Sequence, residues 1–277
     1  MLVASLAFGF MNVSVKSISG MHVSEIVFFR AIVQILIAAV VLAYQRETPW
    51  GNNPKLLIMR GFFGSMGLLC YFYSLQVMPL SNALVIHYLS PILTTLFALM
   101  IGDEQVQKKQ WLFFALSFSG VVIVNGVSSV VTLNGIIAGL GGAVFSALAY
   151  NTIRRLKGKE NPNVVVLYFP LVTLPISLLL PVIGFGDWHY PAGMEWTWLI
   201  LTGIFTQIGQ FFMTRAYQEA ETKVVSAISY AGIIWGTGFG LFIFNESYSL
   251  WQYVGLALVV LGMVLNVRLN RGLGFRR

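Results

Sequence analysis

Four basic side chains lie in long apolar stretches, where an ionisable group is costly and is by default a candidate for function. Arg30 lies seven residues into the apolar run that begins at residue 23, and His87 lies within "ALVIHYLSPILTT", residues 83–95. Lys16 and Arg215 lie nearer the ends of two other runs. A guanidinium suits bidentate binding of carboxylate or phosphate, and an imidazole can carry a proton. These residues predict recognition of an organic anion or of the carboxylate of a zwitterion.

Acidic side chains are missing at comparable depth in the apolar runs. Glu25, Glu104, Glu219 and Glu246 all lie at the ends of runs. A site for organic cations would be expected to contain an embedded carboxylate, so the sequence favours an anionic group over a cation. We interpret Glu104 and Glu246 as structural ties and not as ligands.

Several neutral side chains accompany these charges as candidates for substrate contact. They are Asn12, Tyr73, Tyr88, Asn151, Tyr230 and Trp235. Each candidate also has a structural interpretation. Lys16 and Arg215 can extend to the headgroup zone, Arg30 can tie to helix-end carbonyls or to Glu25, and the aromatic rings and His87 can be packing residues. The sequence leaves both interpretations open.

Helix-breaking and small residues lie beside His87 and Tyr230. Pro91 removes a backbone hydrogen bond and frees the carbonyl of His87, which then needs another donor. Gly232, Gly236 and Gly240 recur every four residues, a spacing that allows close approach of helices. Such a face serves static packing or a hinge, and the sequence does not distinguish the two.

The composition places most of the 277-residue chain in lipid. The chain is 57% hydrophobic and only 10% charged, whereas soluble chains average about 25% charged residues. Its net charge of +7 comes without a basic patch interleaved with aromatics, so nucleic-acid binding is disfavoured. A single cysteine, Cys70, excludes an internal disulfide and a Cys/His metal motif. We expect no metal, no cofactor and, without a GxxxxGK loop, no direct coupling to ATP.

Ten apolar segments are long enough to cross a membrane, which takes about 20 residues. The gaps between them are short, which predicts an all-α, multi-pass integral membrane protein of the cytoplasmic (inner) or plasma membrane. The segments are 1–18, 23–44, 56–77, 80–101, 109–127, 132–155, 162–184, 195–217, 222–244 and 249–268.

Basic residues predict the orientation of these segments. Lys and Arg concentrate in short cytoplasmic loops. The gaps after segments 2, 4, 6 and 8, together with the C-terminal tail, hold 14 of the 17 Lys and Arg residues, among them Arg46, Lys55 and Arg60 after segment 2. This alternation fits an even number of segments with both termini in the cytoplasm.

A repeat appears when the sequence is compared with itself at an offset of 142 residues. Positions 61–122 then share 17 identities with positions 203–264, without a gap. Apolar composition alone does not readily match Tyr, Glu, Gln and Gly at one offset. The matched pairs include Gln76/Gln218, Tyr88/Tyr230, Glu104/Glu246, Gln110/Gln252 and Gly120/Gly262.

The repeat divides the chain into residues 1–127 and 128–277, with five segments in each half. Because five is odd, the second half enters the membrane from the opposite side. Inverted repeats of this kind are typical of secondary transporters, whose substrate sites lie between the repeats near the midplane.

The residues also resemble a known family. The repeat, the "GDE" after segment 4, "SEIVFFRAIVQ" (24–34), "RGFFGS" (60–65) and "MPLSNALVIHYLSPILTTLFA" (78–98) resemble the EamA-like branch of the drug/metabolite transporter superfamily. They look most like the solute carrier 35 group G proteins and related bacterial permeases. The resemblance implies a central cavity lined by segments 1–4 and 6–9, with segments 5 and 10 peripheral. It does not fix the substrate.

Together these observations predict a secondary transporter of a small organic metabolite that works by alternating access. The alternatives are a lipid or lipid-headgroup flippase and an intramembrane enzyme. The enzyme is disfavoured because His87 has no buried acidic partner nearby in the sequence. A homodimer through segments 5 and 10 is compatible with their peripheral place.

Overall fold

The computed structural model describes residues 1–18, 20–78, 80–102, 105–126, 132–182, 188, 190–245 and 247–274. Within these residues the chain forms helices and no strand. The helices in chain order are α1 (Leu2–Lys16), α2 (Val23–Gln45), α3 (Pro54–Val77), α4 (Leu80–His87), α5 (Ser90–Met100), α6 (Lys108–Asn125), α7 (Leu133–Arg155), α8 (Pro162–Val182), α9 (Met194–Glu219), α10 (Thr222–Ser229), α11 (Ala231–Ile243) and α12 (Leu250–Gly274).

Helices occupy each of the predicted apolar segments. Two segments are interrupted: segment 4 is divided into α4 and α5, and segment 9 into α10 and α11. Among the described residues, seven stretches have the length and hydropathy of a membrane crossing, and α4–α5 and α10–α11 each provide one of them. The seven stretches are Ser24–Gln45, Pro54–Ser74, Asn82–Met100, Leu133–Arg155, Pro162–Pro181, Thr222–Ile243 and Leu250–Asn270. Glu104 and Glu246, predicted to be structural ties, lie outside the described residues.

The chain forms two compact units, and each takes segments from both sequence halves. Unit 1 comprises residues 1–2, 66–151 and 220–277, and unit 2 comprises residues 3–65 and 152–219. Unit 1 therefore holds α4, α5, α6, α10, α11 and α12 with most of α7, and unit 2 holds nearly all of α1 with α2, α8 and α9.

Unit 2 is built around α2, which packs against α8 and α9. His22 and Glu25 form a capping box that fixes the start of α2, with the His22 N–H donating to a Glu25 carboxylate oxygen at 3.2 Å. Gly203 of α9 lies against Val33 of α2, so a side chain at this position would clash. The Ser65 and Thr173 hydroxyls, 2.8 Å apart, bond α3 to α8.

Unit 1 has its most extensive helix contact between α6 and α12. A Cβ added to Gly120 would lie 2.5 Å from the Gly255 carbonyl oxygen, and one added to Gly262 would lie 2.7 Å from that of Phe113. Since 120 pairs with 262 and 113 with 255 at the offset of 142, the two contacts are reciprocal. Reciprocal contacts are the pattern that a two-fold axis produces.

The matched glutamines of the repeat also have one shared structural role. The Gln110 side chain accepts the Gln107 N–H at 2.9 Å, and the Gln252 side chain accepts the Ser249 N–H at 2.7 Å. Each glutamine thus reaches back to the residue before its helix, and these bonds satisfy N–H groups that helix starts leave open. This role accounts for the identity of these two residues.

Candidate functional site

The two interrupted helices break at equivalent positions of the repeat. Helix α4 ends at His87 and α5 begins at Ser90, with Tyr88 between them. Helix α10 ends at Ser229 and α11 begins at Ala231, with Tyr230 between them. Discontinuous helices in secondary transporters expose backbone groups that bind substrates or ions, so the breaks are candidates for part of the site.

Tyr88 and Tyr230 meet across the two breaks. Their rings stack at 5.9 Å between centroids with an interplanar angle of 20°. The Tyr230 hydroxyl, on a residue with 0% exposure, donates to the Tyr88 carbonyl oxygen at 3.1 Å. Both predicted contact residues therefore belong to one aromatic pair in unit 1.

His87 lies beside this pair in the chain and against another tyrosine in space. Its ring centroid is 4.3 Å from that of Tyr71. Its Nδ1 is enclosed and has no hydrogen-bond partner among the described residues. An imidazole nitrogen in this state can bind a polar group of a ligand or exchange a proton.

Asn151 of α7 holds helix α5. Its amide donates to the Thr94 carbonyl at 3.0 Å and to the Ala147 carbonyl at 2.9 Å. Its Oδ1 has no partner among the described residues. Tyr73 and Trp235, also in unit 1, are half-buried.

Arg30 is the buried cation of α2 in unit 2. The residue is 6% exposed, and its Nε has no hydrogen-bond partner among the described residues. No carboxylate of those residues pairs with Arg30, since Glu25 belongs to the cap of α2. One turn later the Gln34 Nε2 is equally enclosed and unpartnered. The guanidinium thus has its charge uncompensated within the described part of the chain.

The other predicted residues of unit 2 are exposed. Asn12 and Lys16 lie on the exposed side of α1. Arg215 pairs with Glu219 at 2.7 Å, where both side chains are about half exposed or more, at 48% and 62%. These three residues do not join Arg30 in a common buried cluster.

The proline and glycines predicted to hinge or pack differ in their surroundings. Pro91 lies in the first turn of α5. A Cβ added to Gly232 would lie 3.2 Å from the Tyr88 hydroxyl, whereas one added to Gly236 would meet no atom within 4 Å. Gly240 is buried. Close helix approach therefore does not occur at Gly236 among the described residues.

Arg60 is a buried residue whose environment the sequence did not predict. Its charge groups it with the basic gap after segment 2, yet it lies in α3 with 1% exposure. Its Nη2 donates to the Gln210 side chain at 2.9 Å, and its guanidinium lies 5.1 Å from the centre of the Phe169 ring. The signal was its position inside the predicted segment 56–77.

A second unpredicted cluster surrounds Glu160 at the start of α8. Its Oε1 accepts the Asn52 N–H at 2.6 Å and also the Asn53 N–H. The Tyr168 hydroxyl donates to the Trp50 carbonyl at 3.0 Å. These bonds fasten the loop before α3 to α8 within unit 2. The sequence offered no charge pattern for them because the donors are backbone and neutral side-chain groups.

Comparison with known proteins identifies the family. The model of the EamA-like transporter family matches residues 1–126 and again residues 133–268. The chain belongs to the EamA-like transporter family. It is a multi-pass integral membrane protein of the plasma membrane, and its family is one of transporters and not of enzymes.

Relatives of this family member carry transporter names. The pseudopaline exporter of Pseudomonas aeruginosa is 29% identical over 274 residues, covering 98% of this chain and 95% of the relative. Solute carrier family 35 member G1 of Homo sapiens is 26% identical over 275 residues, covering 94% and 75%. The resemblance to the drug/metabolite transporter superfamily is thereby confirmed.

The fold also occurs among solved structures. A crystal structure superposes with a TM-score of 0.87 at 20% identity, covering 98% of this chain and 96% of the other. At that identity the likeness concerns the fold alone.

Proposed function

We propose that this protein is a secondary transporter of small organic solutes that works by alternating access between two inverted five-helix halves. Counting α4–α5 and α10–α11 as one crossing each supports ten membrane crossings, and the distribution of Lys and Arg supports placing both termini in the cytoplasm. The repeat at offset 142 and the two separate family matches support the proposal. Paired helix breaks at Tyr88 and Tyr230 are typical of such transporters.

The favoured substrate is an organic anion or an amino-acid-like zwitterion. Arg30 carries this part of the proposal, because it is 6% exposed and has no carboxylate partner among the described residues. Burying an uncompensated charge costs several kcal/mol, so a ligand carboxylate is the natural partner. A relative named as an exporter of pseudopaline supports a small molecule as cargo.

His87 is proposed as a second polar contact, to substrate or to a proton. The support is its enclosed and unpartnered Nδ1 beside the Tyr71 ring. Tyr88, Asn151, Tyr73 and Trp235 stay predicted contacts in unit 1, and Asn12, Lys16 and Arg215 stay predicted contacts in unit 2. A homodimer through α6 and α12 also stays a prediction.

The test begins with a thermal-shift screen of purified protein against metabolites and continues with counterflow of the hits. Proteoliposomes made from one simple lipid separate solute transport from lipid flipping, because a flippase would move labelled lipid and give no solute counterflow. An intramembrane hydrolase would instead convert the hit to a product.

The decisive variant is Arg30→Ala, with Lys55→Ala as the control because Lys55 is exposed. We expect Arg30→Ala to lower counterflow of a carboxylate substrate by at least about tenfold, the loss expected for a charge-assisted hydrogen bond. Lys55→Ala should transport at the wild-type rate. Equal transport by both variants would remove Arg30 from the site.

A further inference from the structure

The two helix breaks differ in the group that donates a hydrogen bond to the tyrosine carbonyl at the break. In the second half the Tyr230 carbonyl accepts the Ile233 N–H at 3.1 Å. The equivalent of Ile233 in the first half is Pro91, which has no N–H. Among the described residues no backbone N–H donates to the Tyr88 carbonyl. The proline has therefore removed a donor that the other half keeps.

A side chain from the other half supplies the missing donor. The Tyr230 hydroxyl bonds to the Tyr88 carbonyl at 3.1 Å, on a tyrosine with 0% exposure. A carbonyl within a membrane-spanning segment needs a donor from the protein, because lipid offers none. The hydroxyl thus replaces the amide of residue 91.

The Tyr88 hydroxyl has no corresponding bond. It forms no hydrogen bond to a described residue and lies over Gly232, where an added Cβ would be 3.2 Å away. Two tyrosines at one repeat position, stacked on each other, therefore use their hydroxyls differently.

We propose that Tyr230 is a positioning residue whose hydroxyl substitutes for the N–H that Pro91 lacks, and that the Tyr88 hydroxyl is the member of the pair that binds a polar group of the substrate. The first part concerns the fold of the breaks alone. The second part rests on the proposed transport function. The bond couples the two breaks, because the Tyr88 carbonyl has its donor only while Tyr230 stays against it.

Amide hydrogen exchange of the detergent-purified full chain tests the first part without any ligand. The amides of Tyr88, Leu89 and Leu93, which bond to Leu84, Ile86 and Leu89 carbonyls, report on the break. Tyr230→Phe should speed their exchange about tenfold, equivalent to about 1.4 kcal/mol, because the Tyr88 carbonyl loses its donor. Tyr88→Phe should leave these exchange rates within about twofold of the wild-type rates, since the Tyr88 hydroxyl donates to no carbonyl among the described residues.

Rescue separates positioning from simple packing. Pro91→Ala restores an N–H at residue 91, so Tyr230→Phe should have little effect on these rates in the Pro91→Ala background. An equal increase in the wild-type and Pro91→Ala backgrounds would overturn the proposal. If the Pro91→Ala variant does not insert into the membrane, the comparison of Tyr230→Phe with Tyr88→Phe decides, and equal rates in the two would overturn it.

Counterflow of a screened hit tests the second part. Tyr88→Phe should raise the half-saturating substrate concentration, whereas Tyr230→Phe should lower the maximal rate and leave that concentration unchanged. A raised half-saturating concentration in Tyr230→Phe, with only a lowered maximal rate in Tyr88→Phe, would contradict the roles proposed for the two tyrosines. Absence of any transport in the wild type would contradict the proposed function and leave the exchange result standing.

Discussion

Two regions of unit 1 come from the same repeat and differ in symmetry. The α6–α12 crossing is reciprocal, with Gly120 against the Gly255 carbonyl and Gly262 against the Phe113 carbonyl. The breaks at Tyr88 and Tyr230 lie at equivalent positions, yet one carbonyl receives a backbone N–H and the other a tyrosine hydroxyl. The scaffold keeps the two-fold relation, and the breaks depart from it.

The departure lies in side chains that differ between the halves. His87 is matched by Ser229 and Pro91 by Ile233. Close helix packing needs small residues at a crossing in either half, so it preserves identity. Recognition of one asymmetric molecule needs different groups on the two sides, so it does not preserve the identity of matched residues.

The largest expected effect comes from breaking the symmetric crossing. Gly120→Leu and Gly262→Leu should each strongly destabilise the folded protein in detergent, because even a Cβ would lie 2.5 Å or 2.7 Å from a backbone carbonyl oxygen and overpacking costs about 1–3 kcal/mol or more. The reciprocal geometry predicts similar losses for the two variants in a thermal-unfolding assay. Gly236→Leu is the control, since nothing lies within 4 Å of an added Cβ there. A strong loss for only one of the two crossing variants would contradict reciprocity.

A smaller effect, on transport and not on stability, should follow when His87 is replaced by the residue at the equivalent position of the second half. His87→Ser gives the first half the residue of the second, and we expect it to reduce counterflow by at least about tenfold while thermal stability stays near wild type. Ser229→Ala is the matched control, because the Ser229 hydroxyl only donates to the Ser226 carbonyl at 2.7 Å. A His87→Ser variant that transports normally would exclude His87 from substrate or proton contact.

The smallest effect is expected at the helix starts. Gln110→Ala and Gln252→Ala each remove a side chain that accepts an N–H before α6 or α12, and loss of a cap costs about 1 kcal/mol. The unfolding temperature of each variant should be modestly lower than that of the wild type. Gln252→Ala should lower the thermal stability more, because the Gln252 amide also donates to the Val124 carbonyl at 3.1 Å. A larger loss for Gln110→Ala would contradict this ranking.

Much of the helical architecture follows from the sequence, because an apolar run of membrane length leaves the backbone little choice but a helix. The break at Tyr88 has a sequence signal in Pro91. The break at Tyr230 has no proline, and it becomes visible only through its equivalence to Tyr88.

The candidate site was less predictable. Its segments are apolar on most faces, so the sequence does not reveal which face is buried. Asn12, Lys16 and Arg215 are exposed and stay predicted contacts, while Arg60, whose charge groups it with a basic gap, is buried within α3. Arg30 was identified because charge within a long apolar run is rare whichever face it occupies.

The most direct test of the central claim compares a carboxylate hit with its neutral methyl ester in counterflow. We expect the wild type to transport the acid and to discriminate against the ester. Arg30→Gln should lose this discrimination together with most acid transport, and Arg30→Lys should keep part of both. A wild type that transports acid and ester equally, or an Arg30→Gln variant that still prefers the acid, would contradict it.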